Sequence, residues 1–489
     1  MKNSRLNVLF IRQDEYQYDP PFPLGIGYLA AVSERAGANV SIYNQDLFRY
    51  SDDHLKNHLQ HNEYDLICMG FLAPRLHIKI LDLCRIINNH KKHAWFVLGG
   101  HGPSPIPEYV LRLTKADIVA IGEAEDTFSE LIGAGMDREK LKDIDGIAFW
   151  DNNEITINKR RDPIKNLDSI PFPAWHLFPM EEYTSRPSPV GKEPHEKVGH
   201  MILSRGCVGR CNFCYRMEKG FRYRSIQNIL EEIIELREKY NVTYYVFNDE
   251  LALYPKKRIF ELKDALDKND IKIKFQASTR AELFNENGRE IASLLKEMGC
   301  CYLGIGFESA NQDILNTMGK RTTVAQNHQA AQCVTSAKIP LGLFFIWGNI
   351  GDNEQTLRED VDFIKQYNTY NDIRTIRPPT PYPGAPLYDY AIEKKLLTGP
   401  DDFFNKYTNG DLLTVNFTEI ENARYYEALL AANRELIYDY YDHTTRDYDE
   451  AESLVQTYSG LYSGTIDAKF FFGHRNVYPK ENENCPDKE

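Results

Sequence analysis

The stretch Ser204-Arg205-Gly206-Cys207-Val208-Gly209-Arg210-Cys211-Asn212-Phe213-Cys214-Tyr215 decides the fold and the chemistry expected of this chain. It places three cysteines in one short loop with the spacing C-x3-C-x2-C. Thiolates are the ligands of iron–sulfur clusters, and a tight loop brings three of them to one face. The nearest other cysteines along the chain, Cys84 and Cys300, are far from this loop in sequence. The spacing therefore predicts a cluster with three protein ligands, Cys207, Cys211 and Cys214, and one open iron.

A structural zinc site is the alternative for this loop. Structural zinc takes four closed ligands, and His200 is the one additional ligand type nearby in the sequence. A purely electron-transferring cluster usually has four cysteines, whereas an open iron is a Lewis-acid position for a substrate or cofactor. The three-cysteine loop therefore favours a cluster that takes part in chemistry.

Alternating strand and helix patterns surround this loop. Strand candidates cover residues 200–204, 243–248, 272–277, 301–306, 342–348 and 372–377, and helical patterns cover 226–240, 256–268, 287–298 and 323–337. Six strand–helix units of similar length predict a partial (β/α)6 barrel over residues 199–395. Its chemistry is expected at the carboxyl ends of the strands.

The residues before the barrel predict a second α/β unit. Residues 1–145 contain strand candidates at 8–11, 39–43, 66–71, 95–98 and 118–121, with helical patterns at 27–36, 78–88 and 125–132. This alternation indicates a doubly wound parallel sheet, which binds ligands at the carboxyl ends of its strands. Residues 146–198 are rich in proline and show no sustained period, which indicates a connector. Residues 396–489 are expected to form a small helical region with a helix at 423–441.

Composition limits the possible partners and the compartment. The 489 residues include 58 Lys and Arg against 71 Asp and Glu, a net charge of −13, which argues against nucleic acid and anionic membranes as partners. The longest apolar run, residues 339–348, is about half a membrane span, and the N-terminal apolar run is too short for a signal peptide. Nine cysteines without a secretory signal predict reduced thiols. We expect a soluble, cytoplasmic protein.

The cysteine loop resembles the hallmark of the radical S-adenosylmethionine (SAM) superfamily, in which an aromatic residue precedes the last cysteine. Phe213 occupies that place. The resemblance implies that Cys207, Cys211 and Cys214 hold a [4Fe-4S] cluster and that Phe213 lies near the adenine of SAM. It also implies that the open iron chelates SAM, whose reductive cleavage yields methionine and a 5′-deoxyadenosyl radical.

Further matches to this superfamily follow at successive strand ends. Asp249 and Glu250 stand where the family binds the SAM ammonium group, and Ser278 and Arg280 stand where a polar or Arg residue meets its carboxylate. Glu308 lies in a G-x-x-x-E-S pattern common in the cobalamin-associated branch. Each residue alone would indicate a solvated loop or a helix cap. Their order at successive strand ends favours SAM binding.

The first domain resembles the cobalamin-binding domain that precedes many radical SAM barrels. Its landmarks are residues 23–30, 65–71, 99–103 and 122–125, and Gly99 and Gly100 are the candidates for close approach to the cofactor tail. The D-x-H-x-x-G signature of a lower axial histidine is absent, so the resemblance implies base-off cobalamin. Arg75 or His77 would face the cobalt; the alternative is that both are surface residues at the start of a helix.

An alternative interpretation of the N-terminal residues is a dinucleotide-binding fingerprint. Gly25-x-Gly27-x-x-Ala30 imitates it, with Asp46 near the ribose position. However, thirteen residues, three of them prolines, separate the strand end at Ile11 from Gly25. No tight strand-to-helix turn is then available for a pyrophosphate, which argues against nicotinamide or flavin.

Two departures from the family pattern stand out. Residues 347–353, Trp-Gly-Asn-Ile-Gly-Asp-Asn, replace the more usual G-x-P-G-E-T after the fifth strand, and we expect this change to reshape the substrate side of the barrel. Ala124 stands where a glycine is frequent, which is a mild change.

The resemblance leaves the reaction open between two enzymatic hypotheses. The first is a cobalamin-dependent methyltransferase that methylates an unactivated carbon of a small molecule. The second is a radical cyclase, rearrangement or deoxygenation enzyme without net methyl transfer, and a non-catalytic sensor is a third, remoter alternative. An external electron donor such as flavodoxin or ferredoxin is expected as a partner. Arg374 and Arg377 are candidates for contact with an anionic group, or are structural partners of acids.

Overall fold

The computed structural model describes residues 5–14, 20–72, 79–186, 189–407 and 415–466. Arg75 and His77, the residues expected to face cobalt, lie outside the described residues.

A mixed, mostly parallel sheet forms the first domain. Its strands are β1 (Asn7–Arg12), β2 (Asn39–Asn44), β3 (Leu66–Gly70), β4 (Trp95–Gly99), β5 (Ile118–Ala120), β6 (Ile147–Asp151) and β7 (Glu154–Ile157). Within the described part of the chain their order is β2-β1-β3-β4-β5-β6-β7. β1 to β5 pair in parallel, and the chain order reverses between β1 and β3, where doubly wound sheets bind ligands.

Helices cover both faces of this sheet. They are α1 (Leu24–Arg35), α2 (Gln45–Phe48), α3 (Asp52–His61), α4 (Leu81–His90), α5 (Pro107–Thr114) and α6 (Glu125–Ala134). The pleat of β1 sends Val8 and Phe10 into one apolar layer with α1 and α6, while Leu9 and Ile11 join the layer beneath α3, α4 and α5. The sequence pattern did not predict α3 and α5, which are short and largely polar on their outer faces.

The first part of the predicted connector is regular structure. β6 pairs antiparallel with β5 and with β7, and so extends the sheet beyond residue 145. β6 and β7 are joined by a tight turn in which Asn152 adopts a φ of 57°, a conformation that asparagine tolerates. Farther along, α7 (Met180–Thr184) follows Trp175, a buried ring that packs against Phe22 with centroids 4.4 Å apart.

A second parallel sheet carries the predicted barrel. Its strands are β8 (Lys197–Met201), β11 (Val242–Phe247), β12 (Lys274–Thr279), β13 (Cys300–Glu308) and β14 (Leu341–Phe345), while β9 (Ser204–Cys207) and β10 (Gly220–Tyr223) form a separate antiparallel ribbon. The strand predicted at 200–204 was misplaced, since the barrel strand ends at Met201. The strand predicted at 372–377 exists in the described residues as a single bridge between Ile346 and Arg377. Two prolines follow Arg377 directly and cannot donate ladder hydrogen bonds.

Helices flank the barrel and close its C-terminal side. They are α8 (Ile226–Tyr240), α9 (Lys257–Lys268), α10 (Gly288–Glu297), α11 (Gln312–Thr317), α12 (Val324–Ser336), α13 (Glu354–Tyr367), α14 (Pro386–Glu393), α15 (Pro400–Lys406), α16 (Asn422–Asp442) and α17 (Tyr448–Tyr462). α16 joins the barrel core through Tyr425, whose ring stacks on Trp347 at 4.9 Å. The predicted class is confirmed: an N-terminal doubly wound sheet, a partial barrel and a helical C-terminal region. Across the described ranges, every helix is too short or too polar to cross a membrane.

Candidate active site

The three clustered cysteines lie on and beyond the β9/β10 ribbon. Cys207 ends β9, and Cys211 and Cys214 follow in the loop that returns to β10. Cys211 is buried, Cys207 is half-buried and Cys214 is exposed, and none of the three forms a disulfide. The backbone N–H of Gly209 donates to the Cys207 sulfur at 3.3 Å. The loop therefore presents three thiols from one short segment.

Their electrostatics show that the thiols lie near one another. Although part of Cys214 reaches the surface, desolvation of its sulfur by the surrounding protein, together with the charges of Cys211, Glu250 and Cys207, raises its pKa to about 12. Burial also raises the pKa of Cys211, against the lowering effect of Lys320 and Arg280. Among the described residues, no three His, Cys, Asp or Glu side chains converge on one metal ion. In a cubane cluster each thiolate binds a different iron, so three cluster ligands need not meet at one ion.

Arg280 lies directly against the cysteine loop. It follows β12, and its guanidinium is 3.9 Å from the Cys211 sulfur. The Glu282 carboxylate, 3.1 Å from Arg280 Nε, and the Lys320 carbonyl hold it in place. A Cβ at Gly209 would lie 2.9 Å from Arg280 Nη1, so a larger residue there would displace the guanidinium.

Glu308 ends β13 in a strained backbone conformation. Its φ is 68°, uncommon for a residue other than glycine, and the register between β13 and β14 shifts at this point. Its carboxylate pairs with the nearly buried Lys320 at 2.8 Å. Strained residues of this kind cluster at functional sites. Sequence reasoning found Glu308 but missed Lys320, which follows the short helix α11 and has no motif of its own.

Asp249 and Glu250 follow β11 but differ in their surroundings. Both oxygens of the buried Asp249 carboxylate accept from the Leu203 N–H at 3.0 Å, and one also accepts from the Ser204 hydroxyl at 2.5 Å. Burial raises the pKa of Asp249 to about 6. Glu250 is exposed and lies close enough to raise the pKa of Cys214. The hydrogen bonds of Asp249 therefore fix the start of β9, whereas Glu250 stays exposed after the end of β11.

Ser278 and Phe213 lie in different packing environments. Ser278 lies on β12 beside Gly304, where an added Cβ would be 3.2 Å from its hydroxyl oxygen. Phe213 is half-buried and packs against the apolar layer that includes α14 and α15. The structure brings Cys207, Cys211 and Arg280 together. Glu308, paired with Lys320, is close enough for its charge to raise the pKa of Cys211 and Cys214.

A cavity of about 250 Å³ opens at the carboxyl ends of β1, β3 and β4. Gly99 and Gly100 line it, as do apolar side chains such as Phe71 and Leu98. Gly100 has a φ of 96°, and its place against the Phe71 carbonyl favours glycine. Gly25 also lines the cavity, and a Cβ there would meet no atom within 4 Å, so it would project into free space.

The cysteine loop touches the wall of this cavity. Tyr215, directly after Cys214, packs edge-on against His101 with ring centroids 6.1 Å apart. His101 lines the cavity mouth. Neither residue was singled out from the sequence, although His101 lies within the glycine motif at 99–103.

Comparison with known proteins agrees with this geometry. Residues 201–364 match the Radical SAM superfamily, and residues 17–132 match the B12 binding domain. The chain therefore contains a Radical SAM domain and a B12-binding domain. The first match covers the cysteine loop and β13, and the second covers every residue that lines the cavity except Phe10 and Arg12.

Individual relatives cover most of the chain. It is 29% identical to an uncharacterized methyltransferase of Pyrococcus horikoshii, over 80% of this chain and 82% of that protein. It is 24% identical to the anaerobic magnesium-protoporphyrin IX monomethyl ester cyclase of Cereibacter sphaeroides, over 75% of this chain but only 60% of the cyclase. The radical SAM methyltransferase TsrM of Kitasatospora setae, solved with cobalamin and a [4Fe-4S] cluster, superposes with a TM-score of 0.69 over 94% of this chain and 98% of TsrM. At 15% identity, that likeness concerns the fold alone.

The residues present fit a [4Fe-4S] cluster, SAM and cobalamin, the cofactors that the two matched domains imply. Three soft thiols from one short loop match the three cysteine ligands of such a cluster. The cavity is apolar and lined by glycines, and the space beside Gly25 is what a bound cofactor tail would fill.

Proposed function

We propose that this chain is a cobalamin-dependent radical SAM methyltransferase that acts on an unactivated carbon of a small molecule. The observation that carries the proposal is the contact between Tyr215 and His101, because it joins the cysteine loop to the wall of the glycine-lined cavity. Two cofactor sites that share a wall suit a reaction that uses both cofactors on one substrate.

In this proposal, Cys207, Cys211 and Cys214 hold three irons of the cluster. Arg280 places a fixed positive charge beside Cys211, where it stabilises thiolate and the carboxylate of SAM. Phe213 would meet the adenine, as the family resemblance implies.

The remaining SAM contacts come from the strand ends of the barrel. Glu250 binds the SAM ammonium group rather than Asp249, because the Asp249 oxygens already accept from Leu203 and Ser204. Ser278 and Glu308 complete the site on the following strands, with Lys320 holding the Glu308 carboxylate.

The first domain would hold cobalamin in its cavity. Gly25, Gly99 and Gly100 leave room for the tail, and Phe71 and Leu98 exclude water from it. When bound, the cluster, with an electron from an external donor such as flavodoxin or ferredoxin, would supply the reductive cleavage of SAM to a 5′-deoxyadenosyl radical, and cobalamin would supply methyl transfer. The chain's own contribution is to hold the two sites against each other and to keep both dry.

A radical cyclase is the second candidate function. The likeness to the Cereibacter sphaeroides cyclase supports it, over 75% of this chain. A cyclase needs the deoxyadenosyl radical but no methyl donor, so the fate of the SAM methyl group separates the two candidates.

The test needs no substrate. Anaerobically reconstituted protein with cobalamin, a strong reductant and methyl-labelled SAM should form S-adenosylhomocysteine, about one per cobalamin in a single turnover. Protein prepared without cobalamin is the control and should form none. If S-adenosylhomocysteine is absent while 5′-deoxyadenosine accumulates, the methyltransferase proposal is wrong and the cyclase candidate is favoured.

A further inference from the structure

Four charged side chains bridge the first domain and the β9/β10 ribbon. We call them the junction network: Glu123 and Glu125 after β5, and Arg205 and Arg222 on the ribbon. Arg222 makes two hydrogen bonds to the Glu123 carboxylate, at 2.6 and 2.8 Å. Arg205 donates to Glu125 at 2.5 Å and lies 3.6 Å from Glu123. All four side chains are at most 15% exposed, so water screens these pairs weakly.

The ribbon needs these carboxylates. Arg205 and Arg222 are direct cross-strand partners in the antiparallel register. Like charges placed opposite each other across two strands destabilise the pair. Glu123 lies between the two guanidinium groups and compensates their repulsion. The ribbon that carries Cys207 is therefore stabilised most when it is docked on the first domain.

The network connects the two cofactor sites directly. Ala124, which lies between the two glutamates in sequence, lines the cavity of the first domain. The side chains of Glu123 and Glu125 instead contact the arginines of the ribbon. Arg205 is two residues before Cys207. A displacement at the network would thus move a cysteine relative to the cavity wall.

Two further contacts hold the same loop against the first domain. Arg160 lies 3.1 Å from the Glu218 carboxylate and also binds the Met217 carbonyl. Tyr215 packs against His101 on the opposite side of the loop. The charged network is the most buried of the three contacts and the one with opposed charges to balance.

We infer that the junction network sets the position of the cysteine loop relative to the cobalamin cavity, with Glu123 and Arg222 as positioning residues. The inference rests on the proposed function only for its kinetic readout. The geometric readout is independent of catalysis.

The geometric test measures the distance between the two domains. Nitroxides are attached to p-acetylphenylalanine introduced at the exposed positions Glu139 and Lys257, one in each domain. Pulsed EPR on iron-loaded protein then compares the wild type with Glu123→Arg, Arg222→Glu and the double charge reversal. We expect each single reversal to shift or broaden the distance distribution and the double reversal to restore it. Glu123→Gln, which keeps the shape, covers the case in which a reversal does not fold.

Glu435→Gln is the matched control. Glu435 binds Arg358 with two hydrogen bonds, at 2.7 and 3.1 Å, but joins α13 to α16 within the barrel region. Its removal should leave the distance distribution unchanged. If Glu123→Arg and Arg222→Glu also leave the distribution unchanged, the inference is overturned.

The kinetic readout separates positioning from SAM binding. Each single charge reversal should lower the kcat of methyl transfer from SAM by up to ~100-fold, the loss expected when the cysteine loop is misplaced by about 1 Å. The KM for SAM should stay unchanged. A rise in KM with unchanged kcat would contradict a positioning role. If the distances respond but the wild type transfers no methyl group, the proposed function fails and the positioning role stands.

Discussion

Asn212 and Asn349 exchange side-chain hydrogen bonds, at 3.2 and 3.0 Å, between the cysteine loop and the segment after β14. Asn212 lies between Cys211 and Phe213, and its N–H also donates to the Met318 carbonyl at 2.8 Å. Asn349 is fully buried. The Trp347–Asn353 segment, expected to reshape the substrate side of the barrel, therefore contacts the cysteine loop.

Loss of this amide pair should loosen the cysteine loop. Asn349→Ala removes the donor to Asn212 Oδ1, and the Asn212 Nδ2 keeps its hydrogen bond to the Thr317 carbonyl. The loss of the half-buried acceptor's partner costs ~1–3 kcal/mol and should lower both the free energy of unfolding and the iron retained during dialysis. Asn433→Ala is the control, because Asn433 is equally buried but bonds the backbone of Ile376. It should lose similar stability and keep its iron. Equal iron loss in both variants would contradict a local role for Asn349.

The cluster should depend on three cysteines and no others. Iron and sulfide analysis of reconstituted Cys207→Ala, Cys211→Ala and Cys214→Ala should show loss of the four-iron cluster, because each thiolate binds its own iron. Cys300→Ala should retain it, since Cys300 is buried in the barrel core. The assignment is wrong if Cys300→Ala loses iron while the three loop variants keep it.

A larger side chain at Gly25 should weaken cobalamin binding without lowering the Tm. Gly25→Leu would project into the cavity, and equilibrium dialysis should show binding weakened by ~10-fold or more, about 1.4 kcal/mol. Gly133→Leu is the matched control, because Gly133 also lies in a helix with no atom within 4 Å of an added Cβ but is remote from the cavity. Both variants should keep the wild-type Tm or raise it. Equal cobalamin affinity in the two variants would place the cofactor elsewhere.

Asp360 should make stability depend on pH. It is fully buried in α13, where one oxygen accepts from Ser309 and Ala310 while the other has no partner in the described part of the chain. Burial raises the pKa of Asp360 well above its ordinary value. The neutral acid is thus the form that the fold prefers, and its stabilising contribution is complete below about pH 3.9, the ordinary pKa, and is lost as the pH rises through the raised pKa.

Asp360→Asn mimics the neutral acid at every pH. Urea titrations from pH 5 to 8 should show the wild type losing stability relative to Asp360→Asn as the pH rises. If instead the free energy of unfolding of Asp360→Asn falls increasingly below that of the wild type as the pH rises, Asp360 is ionised in the native state and the prediction is wrong.

Local sequence patterns were sufficient to predict those structural features that a single segment of the chain determines. The cysteine spacing and the glycines at 99–100 pointed to the two sites, and the strand–helix alternation predicted both α/β units. The first-domain strand β1 and the C-terminal helix α16 lie within one or two residues of their predicted bounds.

Long-range contacts were beyond the sequence. The partnership of Glu123 with Arg222 spans 99 residues, and that of Asn212 with Asn349 spans 137. Nothing in the local pattern of either residue indicates its partner. The same holds for Asp249: its position at a strand end predicts a ligand contact, and nothing in the local pattern indicates that its oxygens accept from Leu203 and Ser204.

The most direct test of the central claim measures both fates of SAM in one reaction. Reconstituted enzyme with cobalamin, an electron donor and methyl-labelled SAM is incubated with fractionated extracts of candidate small molecules. Methyl transfer by the proposed route predicts labelled product with S-adenosylhomocysteine and 5′-deoxyadenosine formed in equal amounts, because each product consumes two molecules of SAM. Substrate-dependent 5′-deoxyadenosine without S-adenosylhomocysteine and without label in the product would contradict the methyltransferase account.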